Sequence, residues 1–360
     1  MAARSAAQEI DMEFLRNTWY LAAWGHHLKP GELFPRIILN EPIVLFRDAD
    51  GRAIAFEDRC PHRFAPLSRG KLREGRLMCG YHGLEFDTSG ACVRNPHGSG
   101  KIPAGARVRS YPVVERHAAL WIWMGDKDAD PALIPDFGVL DNPDHADVLR
   151  LDYMVMDAPY ELIVDNLLDC SHTCFVHDGI LANEEMTAIK TTIKRKDDAI
   201  TVSRFAPDAP IPSMFALAYQ REGIRIDGWT DIRWDAPACM LLDTGVTEVG
   251  CPRQAGTGAL SVHVLTPETH QTAHYYFSGR RWGVRPGGET HEMREKVADL
   301  RRFAFEQQDE PMIRAQHRIM QLTPSSKLKP VILETDVGVV GWRRIMEKLI
   351  VAEQSPLVES

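Results

Sequence analysis

Two short segments constrain this chain more than anything else in it: Cys60-Pro-His62 and, after 16 intervening residues, Cys79-Gly-Tyr-His82. Each supplies one thiol and one imidazole within a turn's length, so a fold that sets the two turns side by side brings four soft and borderline donors together. Two kinds of centre use such a set. One is a Cys₂His₂ zinc site, and the other is a [2Fe–2S] cluster with one iron on two thiolates and the other on two imidazoles. A common zinc finger groups its cysteines in one pair and its histidines in another. Here every pair is mixed, as the binuclear cluster requires. A lone Cys or His is ordinarily a core or surface residue; four in this order are not. Gly80 and Gly83 suit a tight loop whose backbone approaches a cluster closely.

The surroundings are β-rich. Apolar runs at Arg36–Leu39, Ile43–Phe46, Ala53–Phe56 and Ala119–Trp123 are punctuated by Asp50-Gly51 and Ser89-Gly90, which predicts a small all-β domain over residues 12–128. A polar stretch ending in Pro131 leads into residues 129–360. There, apolar spacing at Leu162, Ile163, Leu167 and Leu168 predicts a helix begun by Pro159. Strands are predicted at 198–203, 238–242, 260–265 and 272–277, then a long charged helix from about Thr290 to Met320 and a last one over Trp342–Glu353. The fold class is α+β. At 360 residues, two domains with separate cores are expected.

Composition narrows the partners. With 42 Lys plus Arg against 50 Asp plus Glu, the net charge of −8 gives no attraction to nucleic acid or anionic membranes. No run approaches the roughly 20 apolar residues of a membrane span. The start, Met1–Met12, carries Glu9 and Asp11 instead of a signal pattern, so a cytoplasmic protein is expected. Seven cysteines, an odd number, then read as thiols or metal ligands rather than disulfides.

The segment from Cys60 to Ser68 with that from Cys79 to Phe86 resembles the Rieske domain of Rieske non-haem iron aromatic oxygenases, nearest the vanillate and dicamba O-demethylase branch. The Rieske subunit of respiratory complexes braces its loops with an extra disulfide. Ala65 and Tyr81 stand where those cysteines would be. The resemblance extends from about Phe14 to Met346. It implies a helix-grip catalytic domain, a head-to-tail homotrimer, and a separate flavin and iron–sulfur reductase passing electrons from NAD(P)H.

Such a cluster carries single electrons, so the remaining residues should hold their acceptor. Asp165-Asn-Leu-Leu-Asp169-Cys-Ser-His172-Thr-Cys-Phe-Val-His177 matches the family's Asn-x-x-Asp-x-x-His-x4-His pattern, which implicates Asn166, Asp169, His172 and His177. Two imidazoles and a carboxylate on one face of Fe(II) leave the other face open to O₂ and substrate. A spacing of five puts the two histidines about 140° apart on an ideal helix. A π-bulge or terminal turn is therefore expected between them. Asp169, three residues before His172, can accept its outer N–H. Cys170 and Cys174 read as buried thiols.

The resemblance of Phe303–Gln316 to the family's C-terminal ligand helix places Asp309 on the iron, with Glu306 and Glu310 competing; Pro311 predicts a kink around Gln307. It also implies that Asp169 bridges an iron histidine to a cluster histidine, His82, of a neighbouring subunit. Thr230 and His263, on strand-like stretches, and Leu300, nine residues before Asp309, are candidate pocket residues for a small aromatic substrate; Arg63, Arg69 and Arg73 are solvated loop charges or a docking patch for the reductase. The expected activity is an O₂-dependent monooxygenase that O-demethylates a methoxylated aromatic acid. Methyl or ring hydroxylation and N-demethylation by the same centres are the alternatives, and a Rieske electron carrier is the alternative of another class.

Overall fold

The computed structural model describes residues 14–142, 144–145, 147–288 and 290–354; the segment Met1–Met12, and with it the expected start of the first domain, lies outside them. The chain divides into two compact units. One is Arg16–Ile134 with Thr266–His270, and the other takes Pro135–Leu265 and Gln271 onward, with Leu15. The division after Ile134 falls a few residues beyond the expected 128/129. The return of Thr266–His270 has no local signature, because it depends on where a distant strand ends.

The first unit is all-β. Thr18–Trp24, Ala119–Met124 and Val113–Arg116 form one sheet, with Ala119–Met124 central; Phe34–Ile38, Glu41–Arg47, Ala53–Glu57 and Ser110–Tyr111 form another. All six residues of Ala119–Met124 are buried, which explains an unbroken apolar run in place of alternation. A third sheet, of four short strands from Lys71 to Arg94, carries the Cys79–His82 loop between its second and third strands, and the Cys60–His62 loop lies between Ala53–Glu57 and its first strand.

The second unit is built on a seven-stranded sheet. Its order is Asp152–Met156, Ala273–Trp282, Thr257–Pro267, Cys239–Glu248, Arg225–Asp235, Ala199–Pro210, Thr192–Lys196. Six strands thus meander as neighbours, and the first of the chain caps the far edge. Helices α1 (Tyr160–Leu168), α2 (Ser213–Tyr219), α3 (His291–Phe303), α4 (Glu310–Leu322) and α5 (Val337–Gln354) accompany it. Pro159 is the residue before α1. Helix α5 packs on α1 and on the two strands at the sheet's edge. Its Trp342 is fully buried between Tyr160 and Trp234 and donates its indole N–H to Asp165 at 2.8 Å. Arg343 grips both oxygens of the same carboxylate, at 2.6 Å for the closest. The helix that bears the Asn-x-x-Asp motif is therefore tied to the C-terminal helix by a charged pair as well as by apolar packing.

Between α3 and α4 the helix is continuous but widened: Ala304–Asp309 is a π-helix. The expected single charged helix is present, and the irregularity predicted from Pro311 takes this form. Pro311 has no N–H and its ring crowds the carbonyl four residues back, at Gln307; a wider turn relieves both. Among the described residues no helix is long and apolar enough to cross a membrane.

Candidate metal centres

The two Cys/His loops have the same backbone. The amide of Cys60 donates to Ala65 and its carbonyl accepts from Phe64; the amide of Cys79 donates to Leu84 and its carbonyl accepts from Gly83. The fourth residue after each cysteine sits at positive φ, 57° for Phe64 and 70° for Gly83. Gly83 meets that demand freely, whereas Phe64 meets it against its Cβ. Gly80 has another reason to be glycine, since a Cβ there would lie 2.5 Å from the Arg69 carbonyl oxygen. Close approach of backbone to backbone, rather than to a cluster, accounts for it.

Both thiols are buried, at 2% and 1% exposure, while His62 is exposed and His82 partly so. Burial pushes the Cys60 thiol up to about 11, and Cys79 beside it adds to this. The imidazoles face each other with ring centroids 4.5 Å apart. Among the described residues, the set of three or more gathered metal-ligating side chains lies elsewhere, whereas one zinc ion would draw all four of these donors to a single point. Thiols paired inside and imidazoles paired outside suit a two-iron cluster. Glu85, buried, faces Arg94 at 2.7 Å, with Arg73 and Arg76 farther off. Arg63, Arg69 and Arg73 are all exposed, and Arg73 lies 3.7 Å from Glu85.

In the second unit, His172, His177 and Asp309 form the one gathered set among the described residues, with ligand atoms within 4.8 Å of one another. Nε2 of His172 lies 3.5 Å from Asp309 Oδ1, and Nε2 of His177 lies 3.1 Å from Oδ2. Adjacent donors of an octahedral ion at about 2.1 Å stand about 3 Å apart, so the set fits one ion. Helix α1 ends at Leu168, and a 3₁₀ turn, His172–Cys174, takes the chain between the two histidines. Of the two devices expected there, a terminal turn is present. The π-turn is on the Asp309 side instead.

The outer nitrogens are held. His177 Nδ1–H donates to Gln308 Oε1 at 2.9 Å, and His172 Nδ1–H donates to the backbone carbonyl of Asp169. Asp169 does accept from His172, but through its main chain. Its carboxylate Oδ1 accepts from the amide and hydroxyl of Ser171. Asn166 Nδ2 donates to Asp309 Oδ1 at 3.1 Å, orienting the carboxylate. Burial lowers the pKa of His172, keeping it neutral and ready to ligate. Burial also opposes the charge on His177, but the bonds to Asp309 and Gln308 win and the pKa rises. A metal would take the place of the proton shared there.

These three residues open on a cavity of about 210 Å³, walled by the sheet and by the α3 to π-helix segment. A cavity of about 150 Å³ accommodates benzene, so one substituted ring is the natural occupant. Thr230 and His263 line it. Burial pushes the His263 pKa down to about 3, and its Nδ1 pairs with Tyr275 Oη at 2.7 Å, leaving a buried, unpartnered Nε2. Leu300 is not on the wall; Val297, Arg301, Ala304 and Phe305 are. The helix turns the position nine residues before Asp309 away from the cavity and the position eight before toward it. Cys170 and Cys174 are buried, at 5% and 2%.

Comparison with known proteins agrees with both centres. Residues 18–112 match the Rieske [2Fe-2S] domain, and residues 156–352 match the vanillate O-demethylase oxygenase C-terminal domain. The chain belongs to the Rieske non-haem iron oxygenases of the vanillate O-demethylase type. Relatives in this family include the oxygenase component of dicamba O-demethylase from Stenotrophomonas maltophilia, 38% identical over 94% of this chain and 98% of that protein. The oxygenase component of chloroacetanilide N-alkylformylase from Rhizorhabdus wittichii is 36% identical over 96% and 98%. The crystal structure of dicamba monooxygenase bound to 3,6-dichlorosalicylic acid superposes with a TM-score of 0.89 at 37% identity, covering 95% of this chain and 99% of that one. This Rieske oxygenase is therefore an O₂-dependent oxidoreductase, the terminal oxygenase component of its system, with a [2Fe-2S] cluster and a mononuclear iron. Sequence reasoning missed Gln308, although a ligating histidine calls for an acceptor at its other nitrogen.

Proposed function

We propose that this chain O-demethylates a methoxylated aromatic acid. The reading rests on one observation above others: two histidines and a carboxylate converge at one end of a cavity sized for a single ring. Cys60, Cys79, His62 and His82 would hold the cluster, which supplies single electrons; His172, His177 and Asp309 would hold the iron, which supplies O₂ activation. The residues do the rest. Asn166 orients the Asp309 carboxylate, Gln308 and the Asp169 carbonyl hold the imidazoles in the ligating tautomer, and Phe305 with the sheet floor excludes water and sets the ring's plane. Overall, ArOCH₃ with O₂, two electrons and two protons gives ArOH, formaldehyde and water. Similarity to an N-alkylformylase component supports N-dealkylation as a second reading.

Thr230 and His263 are the residues we assign to the substrate's polar end. The electrons come from NAD(P)H through a separate flavin and iron–sulfur reductase in the cytoplasm. The working form is a homotrimer in which Asp169 links His172 to His82 of a neighbouring copy. In support, Asp169 Oδ2 has no hydrogen-bond partner among the described residues, while Oδ1 is engaged by Ser171. Asp169→Asn should leave both irons bound and reduce turnover by orders of magnitude; normal coupled turnover refutes the bridge. Formaldehyde release from aromatic methyl ethers with a surrogate reductase tests the activity, and ring-hydroxylated products without formaldehyde overturn it.

A further inference from the structure

In strand Ala199–Pro210 the inward phase reads Ile200, Val202, Arg204, Ala206, so one guanidinium occupies an aliphatic position. Arg204 is 8% exposed. Its terminal nitrogens donate to neutral acceptors, the carbonyls of Cys170 at 2.6 Å and Met186 at 2.8 Å. Nε is buried without a partner, and no carboxylate pairs with the side chain among the described residues. Three other arginines have carboxylate partners: Arg225 has Asp208, Arg253 has Asp231 and Arg301 has Asp152. A buried cation hydrogen-bonded only to neutral groups leaves room for an anion to join it.

The register supplies the rest of a site. Arg204 stands opposite Thr230, Thr230 opposite Thr244, and Thr244 opposite Ala259; all four line the cavity. Neighbouring strands are about 4.8 Å apart. One row across the floor therefore carries Arg204, Thr230 and Thr244 on neighbouring strands, and neither hydroxyl has a protein partner among the described residues. The adjoining rows, Val202–Ile232–Leu242 and Ala206–Gly228–Val246, are apolar. The one carboxylate on the cavity wall, Asp309, is committed to the histidines.

We propose that Arg204, Thr230 and Thr244 form an anion subsite that takes the carboxylate or sulfonate of the substrate and thereby decides which end of the ring faces the iron ligands. The subsite rests on the reading of an aromatic acid as substrate and names the group that recognises the acid. The two hydroxyls donate to its oxygens, and the Arg204 guanidinium beside them supplies the opposite charge.

The test is binding to the holoenzyme, read by quenching of Trp229 on the cavity wall and by equilibrium dialysis, with no turnover needed. The probes are 4-methoxybenzoate, 4-methoxybenzenesulfonate and the neutral methyl 4-methoxybenzoate. The native protein should bind at least one of the acids 10-fold or more tighter than the ester. In Arg204→Gln, whose amide can still donate to the Cys170 carbonyl, that preference should vanish while ester affinity is kept. Thr230→Val with Thr244→Val leaves the Arg204 contacts intact and should remove most of the preference, so it decides the matter if the Arg204 variant fails to fold. Equal or absent binding of the acids by the native protein, or a preference surviving in the threonine double variant and in any folded Arg204 variant, overturns the subsite. Absence of formaldehyde release would sink the demethylase reading and leave this binding result untouched.

Discussion

Replacing Gln308 by Leu tests whether the acceptor behind His177 governs metal retention. His177 is 1% exposed, and its Nδ1–H has Gln308 Oε1 as partner at 2.9 Å. Leucine keeps roughly the same volume and removes the acceptor. A buried donor left without a partner costs about 1–3 kcal/mol. At about 1.4 kcal/mol per decade, that is roughly 5- to 150-fold in affinity. Loss of such outer partners of metal-binding histidines typically costs about 10–100-fold, and the two routes agree. Part of the penalty falls on the metal-free fold as well, so about 10-fold weaker Fe(II) binding is the expected figure. Gln308→Glu should move the other way, because a carboxylate accepts the same N–H more strongly. The assay is competition with a calibrated chelator under anaerobic conditions, with the visible absorbance of the cluster as internal control. Unchanged iron affinity in Gln308→Leu with an intact cluster spectrum would falsify the role given to Gln308.

Other perturbations separate the two units. Asp165→Asn removes the charge that holds Trp342 and Arg343, and with both partners about one-fifth exposed the loss should be about 2 kcal/mol, less than the 3–5 typical of a fully buried pair; a urea midpoint unchanged from native would contradict it. Gly83→Val should impair cluster assembly by forcing a β-branched residue to φ 70°, whereas Phe64→Gly should preserve it; the cluster's visible absorbance reports on both. In the loop at Asp48, burial favours the neutral acid, but amides of Asp50 and Arg52 and the Arg52 side chain outweigh it and hold the carboxyl below its usual range. Its stabilisation is therefore complete above about pH 4, the unfolded value, and is lost as pH falls through the lower folded one. Asp48→Asn should flatten that part of the acid-unfolding profile, and an unaltered acid limb argues against the carboxylate.

What could be read from the sequence follows the range of each interaction. The Cys60–His82 loops and the His172/His177 pair are local patterns, and the structure brings their side chains together as expected. Asp309 is remote, yet the pattern around it survives in Met312–Gln316 and could be aligned. Leu300 is off the wall because nine residues at about 100° each set it on the helix face opposite Asp309, and Arg301, one residue on, lines the cavity. The carbonyl of Asp169 was hidden for another reason: a side chain was the natural suspect for an N–H acceptor, and main-chain oxygens are the same in every residue. Arg204 lies one residue past the strand expected at 198–203, so its place in the buried phase emerges only from the longer strand Ala199–Pro210.

His177 and Asp309 are 132 residues apart, and six of the seven strands of the larger sheet lie between them. No nascent or truncated chain that ends before the returning helix can present a complete pocket, however well its earlier part has folded. Binding of the catalytic ion by all three side chains therefore waits until the helix that bears Asp309 has been made.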